Sequence, residues 1–276
     1  MGLFDGIMIC SDLDGTLLRN DKSISLENLE AIDHFQREGG LFTFVTGRMP
    51  FFASHIDQAV KPNAPVGCIN GGGIYDYAAQ KYLWTQELSK DAMELVEAAD
   101  RGIEGLGIQV NTFDKVYFCR ENSAMKRFRS LTKMPNLVRD YREIDEPVAK
   151  IVFGDENEEH INRLAALLKA HPMAERFDFI RSEKILYEIL PKGIHKGVAL
   201  TKLVELLGLD PSKTIAVGDY NNDIGMLRAA GIGIAVANAV PAVKEAADVV
   251  TVSNQENAIA RIVSDLENGV LQFPCS

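Results

Sequence analysis

Residues 7–16 read IMICSDLDGT. A short apolar run, Ile7–Cys10, leads into Asp12 and Asp14, and then into Gly15 and Thr16. An apolar segment cut off by acids and a glycine has the pattern of a strand ending in a turn. The sequence that follows repeats the theme. Ser25 is placed to cap a helix that runs to about Glu38 and is ended by Gly39 and Gly40. LFTFVT (Leu41–Thr46) is a second strand, closed by Gly47; a helix follows Pro50, and VGCIN (Val66–Asn70) runs into Gly71, Gly72 and Gly73. Strand, helix, strand, helix, strand predicts a parallel sheet with crossover helices.

Between about Trp84 and Glu188 the pattern changes to helices interleaved with strand-like runs, among them Ile108–Thr112, Val116–Cys119, Ala149–Phe153, Phe177–Arg181 and Ile185–Leu190. This reads as a mixed sheet with helices, a separate α+β unit. After Pro191 the alternation resumes, with a helix at His195–Leu207, the strand TIAVGD (Thr214–Asp219), the strand GIAVA (Gly233–Ala237), VVTV (Val249–Val252) and a last helix from Asn254. The expected fold is therefore α/β: one doubly wound, Rossmann-like parallel sheet formed by residues 1–83 and 189–276, interrupted by an insert at 84–188.

The chain has 276 residues, with 29 Lys and Arg against 39 Asp and Glu, a net charge of −10. That length suits one large or two modest domains. An acidic balance argues against binding a nucleic-acid backbone, which needs clustered positive charge. No apolar run reaches the ~18 residues of a spanning helix, so no membrane is expected. The N-terminal stretch carries acids and no basic region, unlike a signal peptide. Cys10, Cys68, Cys119 and Cys275 are far apart and form no C-x-x-C pair, which is neither a disulfide framework nor a zinc signature. They read as reduced thiols of a cytoplasmic protein.

Three strands end in acids or hydroxyls: Asp12, Asp14 and Thr16 after the first; Thr46, Gly47 and Arg48 after the second; Gly218, Asp219, Asn222 and Asp223 after the strand at 214. In a doubly wound sheet the strand C-termini share one edge, and ligands bind there at the topological switch point. Carboxylates gathered in one cleft repel, each pair by roughly 4 kcal/mol at ~4 Å and an effective dielectric of ~20, unless a cation joins them. All-oxygen donors suit a hard ion such as Mg²⁺, which takes a substrate phosphate as a further ligand. The hydroxyls of Thr16 and Thr46 and the amides of the glycine turns can cradle a phosphate. Lys196, at the start of a helix, adds a mobile point charge. Each feature alone has an ordinary structural reading as a capped turn or a solvated lysine; all of them in order on a doubly wound pattern do not.

DLDGT (Asp12–Thr16), TGR (Thr46–Arg48), Lys196 and GDYNND (Gly218–Asp223) resemble the four motifs of the haloacid dehalogenase superfamily. NGGGIYD (Asn70–Asp76), the insert and EILPKGIHKGVAL (Glu188–Leu200) are similar to its Cof-type subgroup with a type-IIB α/β cap. The resemblance implies a phosphatase with Asp12 as nucleophile and metal ligand, and Asp14 as general acid/base whose backbone carbonyl also binds the metal. Thr46, Gly47, Lys196 and Asn222 would hold the phosphoryl group. Asp219 would complete the Mg²⁺ ligands, with Asp223 acting on the metal or orienting Lys196. The implied substrate is a small phosphorylated metabolite, such as a sugar phosphate, handled by a monomer or small homo-oligomer. A phosphomutase or phosphotransferase shares these motifs, and a non-catalytic phospho-ligand binder is the alternative of a different class. NGGGIYD lacks G-x-G-x-x-G spacing, so a dinucleotide site is not expected. His195 reads as a helix-start residue, and Trp84 as core of the insert. Arg48 is left to pair with a core acid or to reach substrate, and turns near Asn111–Lys115 and Arg181–Lys184 to contact the leaving group.

Overall fold

The computed structural model describes residues 2–132, 135 and 137–273, and Cys275 lies outside them. The chain divides into two compact units, Met1–Thr85 with His195–Ser276, and Gln86–Ile194. Both boundaries fall a few residues beyond those expected from sequence, because a strand ending at Thr85 pairs within the first unit and one ending at Pro191 within the second.

The first unit opens with β1 (Met8–Ser11), buried along its length. Helix α1 (Leu26–Arg37) starts where the Ser25 hydroxyl accepts the Asn28 N–H, and it turns Asn28, Ile32 and Phe35, one stripe of the helix, into the core. Then come β2 (Leu41–Phe44), α2 (Pro50–Val60) with proline in its first turn, and β3 (Val66–Cys68). The strand expected to reach Asn70 stops early because Ile69 and Asn70 adopt φ of 57° and 53°. The chain turns back there into β4 (Gly73–Asp76) and β5 (Lys81–Thr85), a hairpin that the sequence reading missed. Strands β3, β4 and β5 form a small antiparallel sheet, joined to the main sheet through the bridge between Val45 and Gly67. Trp84, on β5, packs against the core of this unit and not inside the insert.

The second unit comprises α3 (Ala92–Gly102), β6 (Gly107–Thr112), β7 (Val116–Arg120), α4 (Ser123–Thr132), β8 (Val148–Gly154), α5 (Glu158–Ala170), β9 (Phe177–Glu183) and β10 (Leu186–Pro191). Its sheet runs β7-β6-β8-β10-β9. Every neighbouring pair is antiparallel, which corrects the expected mixed sheet. Two of the four pairs, β6–β7 and β9–β10, are hairpins, in which a short turn can only return the chain antiparallel. One face buries Ile108, Val110, Ile151, Phe153 and Ile189 with the apolar stripes of α3 and α5. The opposite face carries Gln109, Asn111 and the Lys150–Glu188 ion pair at 2.7 Å. That alternation is the two-residue period of a strand.

The first unit resumes with α6 (Lys196–Leu207), β11 (Thr214–Gly218), α7 (Ile224–Ala229), β12 (Ile232–Ala235), α8 (Pro241–Ala246), β13 (Val249–Val250) and α9 (Ala258–Glu267). Helix α9 begins later than Asn254, whose buried side chain donates instead to the Leu18 carbonyl at 2.9 Å. The main sheet has the order β13-β12-β11-β1-β2 and is parallel throughout, as expected. From β1 the chain steps outward to β2, and later returns to the other side of β1 through β11. The switch point therefore lies between β1 and β11, whose register pairs Ser11 with Val217. Asp12 and Asp219 follow these two strands and are delivered to the same edge. Among the described residues no helix is long and apolar enough to cross a membrane.

Candidate active site

Asp12 continues the line of β1, and its N–H donates to the Val217 carbonyl of β11 at 2.8 Å. Its own carbonyl accepts from the Ser11 hydroxyl and the Leu17 N–H, so the backbone is held from both sides. The chain then bends through Gly15 at φ +85°, a left-handed conformation suited to glycine. A Cβ there would lie 2.4 Å from Asp219 Oδ2. Next to it, the Thr16 hydroxyl donates to Asp219 Oδ1 at 2.9 Å, and Asn238 Nδ2 donates to the Gly15 carbonyl at 2.8 Å. The glycine of DLDGT thus lets one loop close onto the carboxylate of another.

Lys196 opens α6 and is almost wholly buried, 1% exposed. His195 caps this helix, its Nδ1 accepting the Gly197 N–H at 3.1 Å, which is the role expected of it. The Lys196 ammonium lies 2.5 Å from Asp12 Oδ1 and 2.5 Å from Asp223 Oδ1. The second oxygen of Asp223 accepts the N–H groups of Asp219 and Tyr220, both at 2.9 Å. Asp223 therefore ties the turn after β11 to the lysine. Gly218 permits this closure, since a Cβ there would stand 2.5 Å from the Asp223 Cβ.

Asp12, Asp219 and Asp223 present oxygens within 4.8 Å of one another, a grouping able to hold a metal ion. Three carboxylates face a single ammonium, so negative charge is in excess. Burial pushes the Asp12 pKa well above the usual range and the charge of Asp223 adds to it, against the opposing pull of Lys196. Burial and then Asp223 likewise push Asp219 up to about 6. Burial alone would lower the Lys196 pKa, but the two carboxylates outweigh it and hold the ammonium charged. A cation on this all-oxygen donor set would relieve both raised acids, and hard divalent ions fit such donors.

Asp14 takes a different course. Arg48 Nε donates to its Oδ2 at 3.0 Å, and Arg48 Nη2 and Lys22 Nζ both reach its Oδ1 at 2.8 Å. Of the two roles left open for Arg48, the structure places it on an acid. Burial would raise the Asp14 pKa, but these cations more than compensate and hold it below the ordinary value.

The loop after β2 is organised by a residue that the sequence reading did not single out. Asn70 sits buried at φ 53°, ψ 28°, and its N–H donates to the Thr46 carbonyl at 3.0 Å. Its side-chain oxygen accepts from Asn222 Nδ2 at 3.2 Å, and a Cβ on Gly47 would approach that oxygen to 2.8 Å. Asn70 thus joins the loop of Thr46 and Gly47 to that of Asn222. The signal was present in NGGG, because asparagine is the commonest residue other than glycine in left-handed conformations. The following Gly71, at φ +104°, has the His195 carbonyl where a Cβ would go. Thr46 itself is buried, with its hydroxyl accepting the Arg48 N–H at 3.2 Å.

Other candidates have ordinary partners. Asn111 accepts from Gln109, Lys115 pairs with Glu146, and Arg181 binds Asn162, Glu158 and the Lys184 carbonyl, all within the second unit. Cys10, Cys68 and Cys119 are buried thiols, and burial pushes Cys119 up to about 12.

Known proteins resemble this chain over nearly its full length. A family model described as haloacid dehalogenase-like hydrolase matches residues 9–263. Putative phosphatase YxeH of Bacillus subtilis (strain 168) is 28% identical over 271 residues, covering 94% of this chain and 97% of that protein. The 5-amino-6-(5-phospho-D-ribitylamino)uracil phosphatase YitU of the same organism is 28% identical over 264 residues, covering 94% and 96%. A solved structure of a haloacid dehalogenase-like hydrolase from Bacteroides thetaiotaomicron superposes with a TM-score of 0.82 at 26% identity, covering 94% of this chain and 99% of that one.

Proposed function

The chain belongs to the haloacid dehalogenase-like hydrolases and is a phosphatase of that family, and from that premise we propose that it is a Mg²⁺-dependent hydrolase of small phosphorylated metabolites, such as sugar phosphates or related monoesters. The observation that carries this reading is the contact of Lys196 with both Asp12 and Asp223 beside Asp219. A buried ammonium next to a buried carboxylate at a strand end is arranged to receive an anion, because it attracts the phosphoryl group that the carboxylate attacks.

In the proposed reaction Asp12 is the nucleophile and forms an acyl phosphate, dividing one slow step into two faster ones. Asp14 protonates the leaving oxygen and then takes a proton from the attacking water. Lys196, Thr46 and the Gly47 amide bind the phosphoryl oxygens, and Asn222, tied to Asn70, borders the same group. Asp12, Asp219 and the Asp14 backbone carbonyl are the proposed Mg²⁺ ligands. Asp223 completes the acidic group and, with its oxygens engaged by Lys196 and two amides, chiefly orients the lysine. The ion, when bound, supplies positive charge to a site where nucleophile and substrate are both anionic.

The inserted unit is proposed to set selectivity among leaving groups. Cysteines buried as thiols agree with a reducing, cytoplasmic setting. A screen of phosphorylated metabolites for released phosphate, with and without Mg²⁺, tests the proposal. Phosphate release that needs Mg²⁺ and is lost in Asp12→Asn is the expected result. No turnover of any monoester, aryl phosphates included, would leave a binding protein instead.

A further inference from the structure

The turn between β12 and α8 carries a residue that the proposed reaction leaves unused. Asn238 is exposed there. An asparagine in a turn ordinarily bonds its own backbone two residues on. Here both ends of the amide reach other loops: Nδ2 donates to the Gly15 carbonyl at 2.8 Å, and Oδ1 accepts the Asn254 N–H at 2.9 Å. The buried Asn254 side chain returns to the first loop, donating to the Leu18 carbonyl at 2.9 Å and to Asn20 Oδ1 at 3.2 Å. A closed circuit thus runs from Gly15 through Asn238 and Asn254 back to Leu18.

The same turn is tied to the loop after β11. The Val236 N–H donates to the Gly218 carbonyl at 3.2 Å, and the Val240 N–H to the Asp219 carbonyl at 3.0 Å. The main chain of residues 236–240 therefore holds the backbone of Asp219, while the Asn238 side chain holds that of Gly15. Between the two held points, the Thr16 hydroxyl donates to Asp219 Oδ1. Glycine is the residue least able to fix its own conformation, so the Gly15–Thr16 peptide takes its orientation from its partners. On one side of that peptide the Thr16 N–H meets the Leu13 carbonyl at 3.3 Å; on the other, Asn238 supplies the shorter bond.

We propose that Asn238 is a positioning residue for the divalent-cation site: by fixing the Gly15–Thr16 peptide against the turn that also holds Asp219, it sets the spacing of the Asp12 and Asp219 carboxylates. The inference rests on the reading of these two acids as Mg²⁺ ligands. Asn238 acts through Gly15 and Thr16, not through a bond of its own to the ion. Without it, the first loop is free to shift on its glycine, and the Thr16 hydroxyl no longer holds Asp219 at a fixed distance from Asp12.

Calorimetric titration of the metal-free full chain with Mg²⁺ reads the effect without turnover. Asn238→Ala is expected to raise the Kd for Mg²⁺ roughly three- to tenfold, the worth of one net hydrogen bond. The thermal midpoint of the metal-free protein should stay near wild type, because the residue is exposed. Asn238→Asp is the sharper variant. It keeps the acceptor for the Asn254 N–H, loses the donor to Gly15 and adds a negative charge. Charge alone would tighten Mg²⁺ binding, whereas lost positioning weakens it, and weaker binding is the expected result. In turnover, the loss should be recovered by raising Mg²⁺, with KM for the monoester near wild type. Unchanged affinity in Asn238→Ala, or tighter binding in Asn238→Asp, overturns the inference. If Asp219→Asn abolishes Mg²⁺ binding and Asn238→Ala does not weaken it, only the role of Asn238 falls. If the wild-type chain takes up no Mg²⁺, or Asp219→Asn takes it up equally well, the metal reading falls and the inference with it.

Discussion

Gly15 and Asp219, from loops at the ends of β1 and β11, lie so close that any side chain at Gly15 would enter the Asp219 carboxylate, 2.4 Å from Oδ2. The same glycine stands at φ +85°. Backbone strain and steric overlap therefore act at one position. Gly15→Ala should cost about 1–3 kcal/mol of stability and weaken Mg²⁺ binding, because Asp219 must move aside. Calorimetric titration with Mg²⁺ and thermal unfolding check both effects; unchanged affinity would show that Asp219 is not a ligand.

Removing Lys196 should be severe. Lys196→Met leaves Asp12 and Asp223 buried without their ammonium. Breaking a buried pair by deleting one partner costs roughly 3–5 kcal/mol. Denaturant unfolding at neutral pH should show a loss in that range, and mild acid should recover part of it by protonating the stranded carboxylates. Activity should vanish in the fraction that remains folded.

Asp219 links stability to pH in metal-free buffer. Its carboxyl titrates near 3.8 in the unfolded chain and is pushed up to about 6 in the folded one. The folded state therefore binds the proton more tightly, and this group costs stability as pH rises from about 4 through 6, with no further change above. The penalty is on the order of 3 kcal/mol. Mg²⁺ should reverse the trend, adding roughly 2.7 kcal/mol at a free concentration near 100 Kd. Unfolding curves at pH 5 and pH 7, with chelator and with Mg²⁺, should cross in this sense. A metal-free protein more stable at pH 7 than at pH 5 would contradict the assignment.

The two acids of the first loop should fail differently. Asp12→Asn removes the nucleophile, so no phosphoryl-enzyme can form. Asp14→Asn keeps the nucleophile and loses proton transfer, worth roughly 10²–10⁴-fold. With an aryl phosphate, whose leaving group needs little protonation, Asp14→Asn should give a burst of phenol and retain phosphate on Asp12. Asp12→Asn should give none. Rapid mixing with mass analysis of the trapped protein reads both, and phosphate found on another residue would reassign the nucleophile.

Asn70→Gly isolates a side chain from a backbone. Glycine accepts the φ of 53° but deletes the bond to Asn222 Nδ2. The expected result is a raised KM for phosphate monoesters and a stability change below about 1 kcal/mol. An Asn222→Ala variant with the same KM, not further raised in the double variant, would show that the two asparagines act through their mutual bond.

Much of this protein is local and can be read from its sequence. Strand ends followed by acids, glycine-bearing turns and the helix start at His195 are consequences of residue type over a few positions, so the doubly wound core and the meeting of Asp12, Lys196, Asp219 and Asp223 on one edge are legible. Three features depend on pairings that no local signal encodes. The return of β4 alongside β3 follows from the left-handed turn at Ile69 and Asn70, which an apolar run conceals. The antiparallel register of the second sheet depends on which strands become neighbours. The partners of Asp14 were open because a carboxylate pairs with whichever cations the folded chain brings within about 3 Å, and sequence spacing does not specify that distance. Tertiary structure therefore decided that Asp12 faces Lys196 in the interior while Asp14, two residues on, is held by Arg48 and Lys22.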